Sequence, residues 1–293
     1  MNDFSSEDDA DGTAQRCPCE MENVIIIGSE MQYRMFWLQN MFLCSGFALA
    51  QGRNPPPGYL RSVGRTSVLY VPTGYVRGEL LALDWLRDNL SINIVRCASK
   101  ADVLTHLRTR TVDGVEYKIR NLVVFSHGLP GKLALNYNAS PRVDITGGDI
   151  TGLPSDIFDP DGKIYSYACR TAVAPFAGSS LGQVMASHFN VTVRAYHRKT
   201  FYGDVVRDRA DEPTIKSALR TGRAAHEGSL ITLSPQYEAI PHPDLGSGVM
   251  GLWGGSAEGT NDYALWPTAG ALALPVQHST PASEPPGFAT ITP

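Results

Sequence analysis

Residues 121–128 read NLVVFSHG, an apolar β-branched run that stops at a polar Ser-His-Gly, and residues 163–170 read KIYSYACR, a second such run that stops at Ala-Cys-Arg. Short runs rich in Val, Ile, Tyr and Phe are strand signals. Between and before these two, strands and helices alternate. SVLYVP (67–72), INIVRC (92–97), NLVVFS (121–126), KIYSYA (163–168) and VTVRAY (191–196) read as strands, and RGELLALDWLRDNL (77–90), KADVLTHLRT (100–109) and SLGQVMASHF (180–189) as amphipathic helices. That alternation predicts βαβ units around a parallel sheet, an α/β fold. Asp113-Gly114 marks a turn and KLALNY (132–137) a small hairpin, followed by a Gly/Asp/Pro-rich connection.

Further out, NVIIIGS (23–29) is another strand, MFWLQNMFLCSGFALA (35–50) a buried helix, and QGRNPPPGYLRSVGR (51–65) a loop. The expected organisation is a disordered acidic leader over 1–21, one α/β domain over 22–235, and a Gly/Pro/Trp-rich extension over 236–293. Its last fifteen residues, STPASEPPGFATITP, have the composition of a flexible tail.

Bulk composition narrows the function. With 293 residues, 43% hydrophobic and 18% charged, the chain can bury one large core; a formal net charge of −4 supplies no basic field for nucleic acid or a membrane surface. The 16-residue apolar stretch carries Gln39 and Asn40 and falls short of the roughly 20 residues a membrane span needs. The acidic start lacks a secretory signal, and five cysteines form no regular framework. The expected location is the cytoplasm, or a destination reached by a route that needs no signal peptide. Cys17 and Cys19 have no second Cys or His pair to complete a metal site, so neither a metal nor a cofactor is expected.

Two nucleophiles compete. In open parallel sheets functional groups collect past the carboxyl ends of the strands. His127-Gly128 and Cys169 each follow directly on a strand, and if those strands are neighbours an imidazole and a thiol share one rim. Such a pair can generate a thiolate and then protonate an amine leaving group, while the N–H groups of Gly128 and Cys169 can hold an acyl oxyanion. Ser180 lies in GSSLG (178–182), which matches a nucleophile elbow, with His226 or His242 as a candidate base. That elbow needs a strand running into it, and Pro175 shortly before it argues against one. Ser180 with Gln183 instead reads as a Ser-x-x-Gln capping box. Singly, Cys169 and His127 each read as packing residues; their pairing at two strand ends points to chemistry.

VVFSHG and YSYACRT resemble the signature blocks of the caspase-like cysteine peptidases. The caspase pattern is Gln-Ala-Cys-(Arg/Gln/Gly)-Gly with its His about 50 residues upstream. This chain keeps Ala168, Cys169 and Arg170 but has Tyr167 and Thr171 at the flanks. The wider stretches DITGLPSDIFDPDGKIYSYACRTA (149–172) and VTVRAYHRKTFYGD (191–204) are similar to CHAT-like and toxin-associated bacterial members, over a core of roughly 65–205. The resemblance implies a three-layer sandwich with a mostly parallel central sheet flanked by helices. It implies Cys169 as nucleophile, His127 as general acid/base, no metal, no obligatory third catalytic residue, and a protein or peptide substrate. Its specificity pocket would draw on Arg194, Arg198 and Asp204, with Lys199 and Asp208 nearby, a mixture of signs that selects no cleavage residue. A caspase-like scaffold without catalysis and an esterase using Ser180 are the alternatives.

Overall fold

The computed structural model describes residues 20–31, 39–52, 55–56, 58–175, 177–197 and 288–293. Its centre is an eight-stranded sheet built from β1 (Glu20–Ile27), β2 (Arg65–Tyr70), β3 (Asn93–Arg96), β4 (Thr111–Val112), β5 (Val115–Phe125), β9 (Phe158–Ser166), β10 (Thr192–Tyr196) and β11 (Phe288–Ile291). The order is β11-β10-β9-β5-β1-β2-β3, with β4 folded back on β5. Every pairing along the path is parallel except β10 with β11. The β4–β5 hairpin turns at Asp113 and Gly114, whose φ values of 51° and 81° suit a turn that needs two left-handed residues. A second, three-stranded antiparallel sheet, β6 (His127–Leu129), β7 (Lys132–Ala134) and β8 (Asp144–Thr146), stands beyond the end of β5.

Side chains alternate along each strand, so the two faces separate cleanly. Ile25, Ile27, Val68, Val123 and Phe125 pack against helices α1 (Met41–Ala50) and α2 (Arg77–Leu90). Val24, Ile26, Leu69, Leu122, Val124, Ile164 and Val193 pack against α3 (Lys100–Arg108), α4 (Gly147–Thr151) and α5 (Leu181–Phe189). Helices on both faces make this an α/β three-layer sandwich with a mostly parallel sheet, consistent with the arrangement expected from the sequence. The helices start where local chemistry starts them. Ser99 Oγ accepts a hydrogen bond from Asp102 N and the Asp102 carboxylate accepts one from Ser99 N; Thr146 and Asp149 do the same for α4. Among the described residues no helix is long and apolar enough to cross a membrane.

Three boundaries differ from expectation. The leader was expected to run to residue 21, yet Glu20 and Met21 already belong to β1. The expected core of 65–205 omits β1, which is an interior strand of the sheet, paired with β2 on one side and β5 on the other. The C-terminal tail was expected to be flexible, yet residues 288–291 form edge strand β11, in register Val193↔Ile291 to Tyr196↔Phe288. Ile291 packs on Gly182 of α5 so closely that a β-carbon there would lie 2.6 Å from its Cδ1. Hydrophobic burial and strand pairing, absent from any composition argument, hold this segment. Ending the chain after residue 287 is expected to cost about 1–3 kcal/mol, read as an earlier urea midpoint; an unchanged midpoint would mean that β11 contributes nothing.

At the amino end of the sheet, Glu22 is buried in an ionic cluster. Arg110 Nη1 lies 2.6 Å from its Oε2, Arg65 Nε 3.4 Å and His106 Nε2 3.5 Å from its Oε1, and the Ser67 hydroxyl donates to it. Burial alone would raise this carboxyl; the nearby His106 ring, the Arg110 charge and the Ser67 hydrogen bond outweigh it and hold the pKa down at about 2.

Candidate active site

The opposite, carboxyl end of the sheet carries the sequence-predicted pair. β5 and β9 are parallel neighbours with Val124 opposite Ser166, and Tyr167 N donates to Val124 O at 2.9 Å. His127 and Cys169 each stand the same number of residues beyond that matched pair, so both strand ends deliver them to one rim. Gly128 shows how close the two chains come. A β-carbon on it would lie 2.3 Å from the Cys169 carbonyl oxygen and 3.0 Å from the Cys169 nitrogen. Only glycine lets the His127-Gly128 strand end rest directly on the peptide group of Cys169.

The turn that holds Cys169 is tied from several sides. The Thr171 hydroxyl donates to Ser166 Oγ at 2.8 Å, Ala172 N to Tyr196 O at 3.0 Å, and Gly182 N to Thr171 O at 2.9 Å. Arg170 sits at φ 51° with its side chain fully buried, a conformation a non-glycine residue keeps only when its surroundings impose it. Among the described cysteines, Cys44 and Cys97 are buried and Cys169 is half-exposed. Burial, with a smaller contribution from Asp102, pushes the Cys97 thiol up to about 12, so Cys97 stays an inert thiol at neutral pH.

His127 is 7% exposed. Its ring packs edge-on to Phe42 at 5.0 Å and tilted against Tyr137 at 5.4 Å, so α1 and the residues after β7 clamp it from two sides. Its Nε2 lies 2.6 Å from Oε2 of Glu30, a carboxylate with no exposed side-chain surface. Glu30 comes from the segment after β1, which is held to the same rim by Gly28 N to Phe125 O at 2.8 Å and Ser29 N to Leu135 O at 2.6 Å. Sequence reasoning missed this residue. The available signal was the stretch NVIIIGSE, a third apolar strand that ends in a polar group at the carboxyl rim.

Ser180 lies elsewhere in the chemistry. It is the N-cap of α5, its hydroxyl accepting from Gln183 N at 3.1 Å, and among the described residues no strand enters the turn before it. Only half of the expected capping box forms, because Gln183 Nε2 turns to Ser187 and to Thr292 O of the C-terminal segment. Arg194, named as a candidate for the specificity pocket, lies inside β10, where VTVRAY reads as a strand, opposite Tyr165 and Thr290. Burial raises the Tyr165 phenol to about 12 against the opposing pull of Arg194 and Arg120. Arg198, Lys199, Asp204, Asp208, His226 and His242 lie outside the described residues. No cluster of three or more His, Cys, Asp and Glu side chains suited to a metal occurs among the described residues. No protein-family model matches the chain, and no curated protein and no solved structure matches it.

Proposed function

We propose that this protein is a caspase-like cysteine endopeptidase in which Cys169 attacks a peptide carbonyl and His127 moves the protons. The observation that supports this reading is the seating of Gly128 on the peptide unit of Cys169, which brings the strand end bearing His127 beside the backbone of the residue that carries a half-buried thiol. In the first step the thiol proton passes to the imidazole and the sulfur forms a bond to the carbonyl carbon, its π pair moving onto oxygen. The N–H groups of Gly128 and Cys169 serve as donors to that oxyanion. Collapse breaks the C–N bond, the imidazolium gives its proton to the departing amine, and an acyl-enzyme remains. Water, deprotonated by the same imidazole, then releases the acid and the thiol.

Peptide acyloxymethyl ketones with Asp, Arg, Lys or Leu at the cleavage position test this. At least one should form a covalent adduct mapped by mass spectrometry to Cys169, and the same side chain should mark the preferred substrate. Reaction of Cys169 with iodoacetamide but with none of the four ketones would count against a peptidase. The near-complete burial of His127 favours a second reading, a caspase-like interaction module without turnover, and that negative result is the one it requires.

A further inference from the structure

We infer that Glu30 is the third member of this site, a positioning residue that fixes the proton of His127 on Nε2 and leaves Nδ1 as the base for Cys169. The kinetic part of this inference rests on the peptidase reading; the protonation of the ring does not. A carboxylate can only accept, so with Glu30 Oε2 at 2.6 Å the hydrogen between them comes from Nε2. The opposite arrangement, a protonated Glu30 donating to a bare Nε2, would put the ring's own hydrogen on Nδ1. An imidazole in that form has no lone pair to receive the thiol proton.

The surroundings give Glu30 a second task. When the thiol proton reaches Nδ1 the ring becomes a cation that is almost wholly enclosed, with the rings of Phe42 and Tyr137 on its flanks. Neither aromatic ring neutralises that charge. The Glu30 carboxylate lies on the Nε2 side of the ring and balances it through the steps in which the proton waits for the leaving amine. β1 also fixes where the carboxylate sits. Gly28 is bound to Phe125 O and its carbonyl accepts from Tyr75 Oη at 2.7 Å, so the chain carrying Glu30 is anchored to β5 and to the segment before α2.

The experiment is nitrogen-15 NMR of full-length protein labelled at histidine, with the His127 signals assigned by their loss in His127→Gln. Below the temperature of any unfolding, wild-type His127 should have a protonated Nε2 bonded to a slowly exchanging, far-downfield proton, and a bare Nδ1. In Glu30→Gln that proton should move upfield and exchange faster. On the peptide sequence taken from the best-reacting ketone, kcat should fall by about 100-fold with KM within about twofold, and Glu30→Asp should recover part of the loss. A wild-type ring protonated on Nδ1 overturns the inference, as does a Glu30→Gln variant with unchanged kcat. If Glu30→Gln does not fold, the wild-type spectrum decides alone. If no peptide is turned over by wild type, the proposed peptidase activity falls while the spectrum still rules on Glu30.

Discussion

Cys169→Ala will abolish peptide turnover, by at least about a thousandfold, and will leave the melting temperature almost unchanged, because a half-exposed thiol contributes little packing. His127→Ala will abolish turnover too, but it will not be silent in stability. It removes a ring packed between Phe42 and Tyr137 and takes the imidazole away from a buried carboxylate, changes that together cost about 3–5 kcal/mol. Ser180→Ala should cost about 0.5–2 kcal/mol through the lost N-cap and spare activity. Peptide hydrolysis and thermal melting on the three variants separate the cases. An active Cys169→Ala beside a dead Ser180→Ala would transfer the protein to the serine hydrolases.

The second large effect is on acid stability and comes from the other end of the sheet. The Glu22 carboxyl is held near 2 in the folded protein against an ordinary value of 4.5. A depressed folded-state value means that the unfolded chain takes up the proton first, so the stabilisation is complete above pH about 4.5 and is lost as pH falls toward 2. Its size is on the order of 3 kcal/mol. The capping carboxylates Asp102 and Asp149, also lowered, act in the same direction. Glu79, whose carboxyl burial raises, acts oppositely and gains as pH falls. Glu22→Gln should cost about 3–5 kcal/mol at pH 7, since Arg110 and Arg65 keep their charge without its counterion. It should also flatten urea-unfolding free energy between pH 4.5 and 2. A variant with the wild-type pH slope would show that Glu22 does not set it.

The elements legible in the sequence are those whose signal is local. RGELLALDWLRDNL gives α2 with its observed bounds because its amphipathic pattern is carried within the segment itself. The placement of His127 and Cys169 at one rim is legible because each residue closes its own apolar run, and one assumption, that the two strands are neighbours, joins them. What escaped depends on contacts between distant positions. Nothing in NVIIIGSE says that β1 lies beside β5, and only that adjacency turns Glu30 from a loop carboxylate into the partner of His127. FATI is four residues in a stretch rich in Pro and Ser; its strand character comes from β10 and from the hollow over Gly182. HGL reads as a turn after a strand until KLA pairs with it.

The interior position of β1 has a consequence for how the protein is made. Asn23 to Ile27 are buried on both faces, yet β5, which covers one of their two edges, follows only after β2, α2, β3 and α3 have been synthesised. At typical rates of elongation that delay is on the order of ten seconds. Throughout it the newborn chain displays a β-branched, uncharged run with an open hydrogen-bonding edge, the kind of segment that seeds intermolecular sheets. Helix α1, which follows β1 and packs on Ile25 and Ile27, can mask one face early, but the edge has no such cover. Rapid overproduction is therefore expected to lower the yield of folded protein, and co-expression of a holdase chaperone that binds extended apolar chain is expected to restore it.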